Sequence, residues 1–214
     1  MYTITKELFF NFLKVTNTTH NTMSAARLKK ELVEITKDTK LTGVSVKALT
    51  SDLKQLIGTV QGPPESPYEG GEFEVDIQIP SEYPFGPPKM KFRTKLWHPN
   101  ISSQTGAICL DILKDNWSPA LTLKTTLLSL RALLTAAEPD DPQDAQVAKQ
   151  YKSDYKEYVK TAKRWTETYA MKKAPDYSKQ IEQLAAMGIP KDDALRALEL
   201  TCGNVQEALE SLFS

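Results

Sequence analysis

Hydrophobic side chains recur along this chain with two different periods, and the changes between them mark its elements. From Ser24, a candidate N-cap, Leu28, Leu32 and Ile35 follow at helical spacing, with Arg27, Lys29, Lys30 and Lys37 on the other faces. That pattern predicts an amphipathic helix with a basic outer side. The period then drops to two. Val44, Val46 and Ala48 alternate with polar residues, Leu56 to Val60 makes a second run, and Phe73, Val75, Ile77 and Ile79 a third. A fourth run, residues 90–94, follows a proline-rich loop over 83–88. Because glycine and proline cluster in the connector between the second and third runs (residues 62–71), an antiparallel meander is the economical topology.

Residues 95–120 show no regular period, yet Trp97, Ile101, Ile108, Leu110, Ile112 and Trp117 argue against disorder there. A long ordered loop inside a compact pattern points to function. After Thr122, a second candidate N-cap, Leu123, Leu127, Leu130 and Leu134 predict a buried central helix. Asp141, with Pro142 at the first helical position, is expected to cap the next one. A last long helix from Asp154 presents Tyr155, Tyr158, Val159, Ala162, Trp165 and Tyr169.

Beyond a linker over 171–177, three short helical patterns follow. They carry Ile181, Leu184 and Met187, stopped by Gly188; Ala194, Leu195 and Leu198, closed by Gly203; and Val205, Ala208, Leu209 and Leu212. At the other end, residues 1–22 have no clear period and precede a second methionine, Met23, so they read as a poorly ordered extension. The expectation is an α+β domain over 23–170 and a tight three-helix module over 178–214.

Composition removes several function classes. The 214 residues carry 27 basic and 27 acidic side chains, so no overall basic excess calls for nucleic acid. The charge is uneven, however: three basic against seven acidic side chains fall in 175–214, which leaves the rest basic by the same margin. The apolar run over 8–13 is too short to span a membrane, and no small-residue cleavage site follows it. Two cysteines are too few for a disulfide framework, which suggests a reducing compartment, cytoplasmic or nuclear. Asn17, Asn100 and Asn116 head glycosylation sequons, and those in the long loop are read as chance.

Cys109 is the strongest candidate for chemistry. A free thiol ionises near about pH 8.5, and its thiolate is a strong nucleophile. The bland reading is a small buried hydrophobe; the long ordered loop and the adjacent Gly106 and Ala107, which allow close approach of another chain, favour an accessible thiol. His98 could make a Cys–His pair of the hydrolase type, but beside Pro99 it reads better as an anchor that holds the loop. Asn100 is either an oxyanion donor, a role worth roughly 3 to 4 kcal/mol elsewhere, or a turn residue bonded to local backbone. Asp141 is either a helix cap or a carboxylate that orients an incoming amine. A thiol with an amide nearby and no obvious base suggests acyl transfer more than proteolysis. Cys202, beside Gly203, reads as structural, and neither a metal-ligand cluster nor a glycine-rich phosphate loop is present.

Five motifs together resemble the ubiquitin-conjugating enzymes: Tyr83-Pro84-Phe85-Gly86-Pro87-Pro88-Lys89, His98-Pro99-Asn100, Gly106-Ala107-Ile108-Cys109-Leu110-Asp111, Trp117-Ser118-Pro119-Ala120 and Pro139-Asp140-Asp141-Pro142. The tail, through Met187-Gly188-Ile189 and its last leucines, resembles a ubiquitin-associated domain. The combination is similar to the class with a C-terminal extension, the huntingtin-interacting type among them.

The resemblance implies that Cys109 accepts ubiquitin as a thioester from an activating enzyme and passes it to a lysine of a protein substrate or of ubiquitin, building chains that can mark proteins for the proteasome. It gives Asn100 the oxyanion or loop-organising role, Asp141 the amine, and His98 and Pro99 the loop. Arg27 and Lys30 would meet the activating enzyme; Phe85, Pro119 and Ala120 would face RING-type ligases; Leu128 would hold donor ubiquitin. In the tail, Met187, Gly188, Ile189 and Leu212 would form an apolar patch for ubiquitin, with Ile189 in place of a common aromatic. No cofactor would be bound directly, ATP being used by the upstream enzyme, and neither nucleic acid nor membrane would be a partner. The alternatives are an inactive ubiquitin-binding scaffold, for which Cys109 would be expected to be absent, and a cysteine hydrolase, which requires His98 to reach the sulfur.

Overall fold

The computed structural model describes residues 24–171 and 176–213. The extension expected over 1–22 and most of the linker expected over 171–177 lie outside the described residues. The chain divides into two units between Met171 and Lys172.

In the first unit, helix α1 (24–37) buries Leu28 and Ile35 and leads through a short α2 (Thr39–Thr42) into the sheet. Strands β1 (Val44–Ala48), β2 (Gln55–Gln61), β3 (Glu72–Gln78) and β4 (Lys89–Phe92) pair in sequence order, each antiparallel to the last. The expected meander therefore forms. Register follows the alternation: Val60 faces Phe73, Leu56 faces Ile77 and Val75 faces Phe92, so one side of the pleat is apolar. Phe73, Val75 and Ile77 are almost fully buried there.

Helix α3 (Leu123–Leu133) lies over this face, packing on β1 and β2. Its start is set as expected: Thr122 accepts from Thr125 N while the Thr125 hydroxyl accepts from Thr122 N, a reciprocal capping box. Leu123, Leu127 and Leu130 point inward with no exposure. Gly58 permits the contact, because a Cβ there would stand 2.9 Å from Leu127 Cδ2.

The stretch without a period is ordered by long-range pairing rather than by repeating structure. Isolated bridges join Lys91 to Ala107, His98 to Ile101 and Ile101 to Ile108, and a 3-10 turn spans Asp111–Leu113. The chain that closely approaches Gly106 is the protein's own β4. A Cβ at Gly106 would fall 1.9 Å from Phe92 O, and the residue holds φ at 73°. Both facts require glycine. Gly106→Ala is expected to lower stability by roughly 2 to 4 kcal/mol. Urea unfolding of parent and variant measures this, and matching midpoints would show that the backbone yields at no cost.

Helices α4 (Ala145–Ser153) and α5 (Tyr155–Tyr169) complete the unit. Asp154 starts α5, accepting from Glu157 N at 3.0 Å. The expected cap of α4 is corrected: Asp144, not Asp141, accepts from Val147 N, and Pro142 lies outside the helix.

The second unit contains α6 (Ser178–Ala186), α7 (Lys191–Leu200) and α8 (Val205–Leu212) around Tyr177, Leu184, Ala194, Ala197, Leu198 and Ala208. Asn204 caps α8 through Gln206 N and Glu207 N. Ile189 belongs to this core at 9% exposure, so the surface role expected for it is corrected. Leu212 is half-buried against the same core, whereas Met187 is 60% exposed. Cys202 is exposed, and its backbone takes φ of 52° before Gly203. Among the described residues no helix is long and apolar enough to cross a membrane.

Candidate active site

Three segments meet at Cys109: the turn over 98–103, the 3-10 turn after the cysteine, and the loop over 138–144. The first is anchored by His98, which is fully buried. Its Nδ1 accepts from Asn100 N at 3.0 Å, which leaves the proton on Nε2 to be donated to Leu133 O at 2.9 Å. Burial pushes the imidazole pKa down to about 4, against the opposing pull of the Leu133 carbonyl, so the ring is neutral at physiological pH. Both nitrogens are engaged away from Cys109. A Cys–His hydrolase pair is therefore excluded in this arrangement.

Asn100 fastens the second loop. Its Nδ2 donates to Glu138 O at 2.8 Å and Asp141 O at 2.9 Å, and its Oδ1 accepts from Glu138 N at 2.8 Å. The residue is 2% exposed, and each of these bonds joins segments about forty positions apart. Its backbone carbonyl also accepts from Cys109 N at 2.9 Å. One residue, through its backbone carbonyl and its side-chain amide, thus ties the segment that carries the thiol to the loop that carries Asp141. Both amide hydrogens are held by backbone carbonyls, so the geometry matches the loop-organising role rather than an oxyanion donor.

Adjacent bonds reinforce this seam. Pro99 O accepts from both Gln143 N and Asp144 N at 2.9 Å. Asp144 Oδ2 accepts from Ser103 N at 3.0 Å and Ser103 Oγ at 2.7 Å. Partial burial disfavours the Asp144 carboxylate, but these bonds and those from the helix backbone outweigh it and hold its pKa below the usual range.

The thiol that this frame presents is half-buried. Its Sγ donates to Asp141 Oδ2 at 3.7 Å and receives Lys114 Nζ at 3.6 Å. Asp141 is exposed, with its side chain aimed across the cysteine. Lys114 is turned back by the 3-10 turn, in which Leu113 N bonds Leu110 O and Lys114 N bonds Asp111 O. Asp111 stiffens the turn further: bonds from Asn116 Nδ2 and from Ile112 N, each 2.7 Å, hold its carboxyl below the ordinary range.

The surfaces around the site have a buried keystone that the sequence pattern does not flag. Glu31 on α1 is 7% exposed and accepts from Tyr83 Oη, Leu123 N and Arg27 Nε. It joins α1, the proline-rich loop and the start of α3, and burial raises the Tyr83 phenol pKa beside it. Arg27 also donates to Leu121 O and lies over the Tyr83 ring, so much of its guanidinium faces inward; Lys30 is exposed. Phe85, Pro119 and Ala120 are exposed, and Trp117 Nε1 joins their loops by donating to Pro84 O at 2.8 Å. Leu128 is half-buried on α3. Met187 and Gly188 lie exposed in the second unit.

The sequence reading missed Glu31, Ser103, Lys114, Glu138 and Asp144. Of these, Lys114 carried a signal, a lysine five positions after the thiol, and Asp144 another, an N-cap residue before a helical pattern. Among the described residues no cluster of three or more His, Cys, Asp or Glu could hold a metal ion.

Comparison with known proteins reproduces the division and supplies the family. A model described as ubiquitin-conjugating enzyme matches residues 27–166, and one described as UBA/TS-N domain matches 177–212. The chain is 51% identical over 189 residues to ubiquitin-conjugating enzyme E2 27 of Arabidopsis thaliana, covering 88% of this chain and 97% of the relative. It is 48% identical over 196 residues to human ubiquitin-conjugating enzyme E2 K, covering 90% and 98%. Among solved structures, the E2 domain of a Toxoplasma gondii ubiquitin conjugating enzyme superposes with a TM-score of 0.64 at 57% identity, covering 68% of this chain and 97% of that one. A periodless loop built around Cys109, a meander beneath a capped central helix, and these matches over both units lead to one conclusion: the chain belongs to the ubiquitin-conjugating enzyme family and carries a C-terminal ubiquitin-associated domain.

Proposed function

We propose that Cys109 accepts ubiquitin's C-terminus as a thioester from an activating enzyme and transfers it to a lysine amine of a protein substrate or of ubiquitin, building chains. The observation that carries this reading is the surroundings of the sulfur: a half-buried thiol 3.7 Å from the Asp141 carboxylate, with the His98 imidazole bonded elsewhere. Thioester exchange needs a thiolate and an accessible carbonyl. Aminolysis needs an amine that has lost its proton, and a carboxylate beside the sulfur suits that requirement.

In this reading Asn100 is a positioning residue, keeping Asp141 at its distance from Cys109. Lys30, with the exposed part of Arg27, meets the activating enzyme, while Phe85, Pro119 and Ala120 meet a RING-type ligase and Leu128 steadies donor ubiquitin. In the tail, Met187 and Gly188 contribute the surface for ubiquitin and Ile189 supports it from within. The chain binds no cofactor itself, since ATP is consumed by the activating enzyme, and it works in the cytoplasm and nucleus without a nucleic acid or membrane partner.

The test is incubation with activating enzyme, ATP and ubiquitin, followed by a non-reducing gel. A reductant-sensitive adduct that is absent in Cys109→Ala is the expected result. Its failure to form, under conditions where another conjugating enzyme charges, would sink the proposal.

A further inference from the structure

We infer that Glu31 is a positioning residue for ligase recognition: its buried carboxylate fixes the spacing between the loop that carries Phe85 and the loop that carries Pro119 and Ala120, so a ligase domain meets a surface already in its bound shape. The inference rests on the reading above that these three residues face a RING-type ligase, and it adds the group that holds them.

A carboxylate is costly to bury unless its oxygens are filled, and those of Glu31 are filled by donors from three segments. Oε1 accepts from Arg27 Nε at 2.7 Å and from Tyr83 Oη at 2.7 Å, while Oε2 accepts from Tyr83 Oη at 2.9 Å and from Leu123 N at 2.8 Å. Arg27 extends the grip, since its Nη2 donates to Leu121 O at 2.8 Å and its Cζ lies 5.6 Å from the centre of the Tyr83 ring. Tyr83 stands two positions before Phe85, and Leu121 directly follows Pro119 and Ala120. One side chain on α1 therefore holds the roots of both loops.

Within each loop the bonds are local: Phe85 N donates to Glu82 O, and Leu121 N to Ser118 O. Such bonds shape a turn without setting its distance from the other. The spacing is set across the loops, by the Glu31 and Arg27 bonds together with Trp117 Nε1, which donates to Pro84 O at 2.8 Å from an indole 6.0 Å from the Tyr83 ring. The bonds that frame the thiol run instead through His98, Asn100, Asp111, Asp141 and Asp144. Loss of the brace should thus weaken docking and spare the surroundings of the sulfur. A partner that binds only the braced arrangement loses apparent affinity in proportion to the population of that arrangement, while the complex once formed reacts as before.

Glu31→Gln breaks the brace in either orientation of its amide. The NH2 group confronts Arg27 Nε one way and Leu123 N the other, and neither donor can turn into an acceptor.

The full chain, charged to completion and freed of ATP, is discharged to free lysine alone and with increasing amounts of a purified RING domain selected because it accelerates the parent. In Glu31→Gln the half-saturating RING concentration is expected to rise at least fivefold, while discharge without the RING domain and the maximal rate at saturation both stay within about twofold of the parent. Tyr83→Phe, which removes one hydroxyl, should show the same split with a smaller rise. The double variant should rise by less than the product of the two, because both changes break one network. An unchanged half-saturating concentration, an equal loss with and without the RING domain, or independent effects in the double variant would overturn this inference alone. Should Glu31→Gln fail to fold, Tyr83→Phe decides on the same split. Failure of every RING domain in a panel to accelerate the parent would overturn the ligase reading and this inference together.

Discussion

Asp141→Ala is expected to accept ubiquitin at the parent rate yet discharge it to free lysine about 100-fold more slowly, the ordinary scale of a positioned acid–base group. The side chain is exposed, and the helix start nearby depends on Asp144, so removing the Asp141 carboxylate leaves the fold intact. Its loop is held through its backbone carbonyl by Asn100, which the substitution does not touch. The effect should therefore be chemical. A discriminating control is discharge to a small thiol, which attacks as thiolate and has no amine to prepare. That rate should stay within about twofold of the parent, since the acyl group and its carbonyl are unchanged. Single-turnover decay of the charged enzyme with each nucleophile measures both. Equal losses with lysine and thiol would assign Asp141 to presenting the thioester, and equal rates in parent and variant would remove it from the mechanism.

Local signals in the chain were legible, and the failures share one cause. Alternation through Phe73, Val75 and Ile77 gives the buried face of β3, and pairing with sequence neighbours then follows from short connectors. Thr122 and Asp154 cap helices because the partners of their side chains lie three residues away. Asp141 fails the same rule. Two aspartates three positions apart both fit it, and the choice is made by Pro99 O, which holds Gln143 N and Asp144 N from a distant segment. Glu31 was invisible for the same reason, since its partners Tyr83 and Leu123 lie 52 and 92 positions away. Ile189 follows a glycine stop and reads as surface, but the three short helices need its bulk inside.

Asn100 shows how this limit bears on the site. Proximity to Cys109 in sequence made it a candidate oxyanion donor, whereas its partners, Glu138 and Asp141, are 38 and 41 positions away. The chemistry of the site therefore depends on a seam between two loops. His98 lies under that seam, joining the turn over 98–100 to the end of α3.

The seam should carry a pH signature of its own. The His98 imidazole has its pKa pushed from an ordinary value near 6.5 down to about 4 by burial, so the native state holds it neutral while the unfolded chain protonates it. With the folded value below the unfolded one, its contribution is complete above pH 6.5 and is lost progressively as pH falls toward 4. The depressed carboxylates, Asp111 and Asp144, act only at lower pH, because their ordinary value is already 3.8. Stability should thus fall by about 3 kcal/mol across the histidine window, before the carboxylates contribute. Urea unfolding at stepped pH reads the loss, and titration of the imidazole resonances by NMR assigns it. A His98 ring that titrates near 6.5 in the folded protein would refute this. A ring that stays neutral to about pH 4 would show that the loops around Cys109 rest on an uncharged buried imidazole, and that acid loosens the site before it reaches the carboxylates.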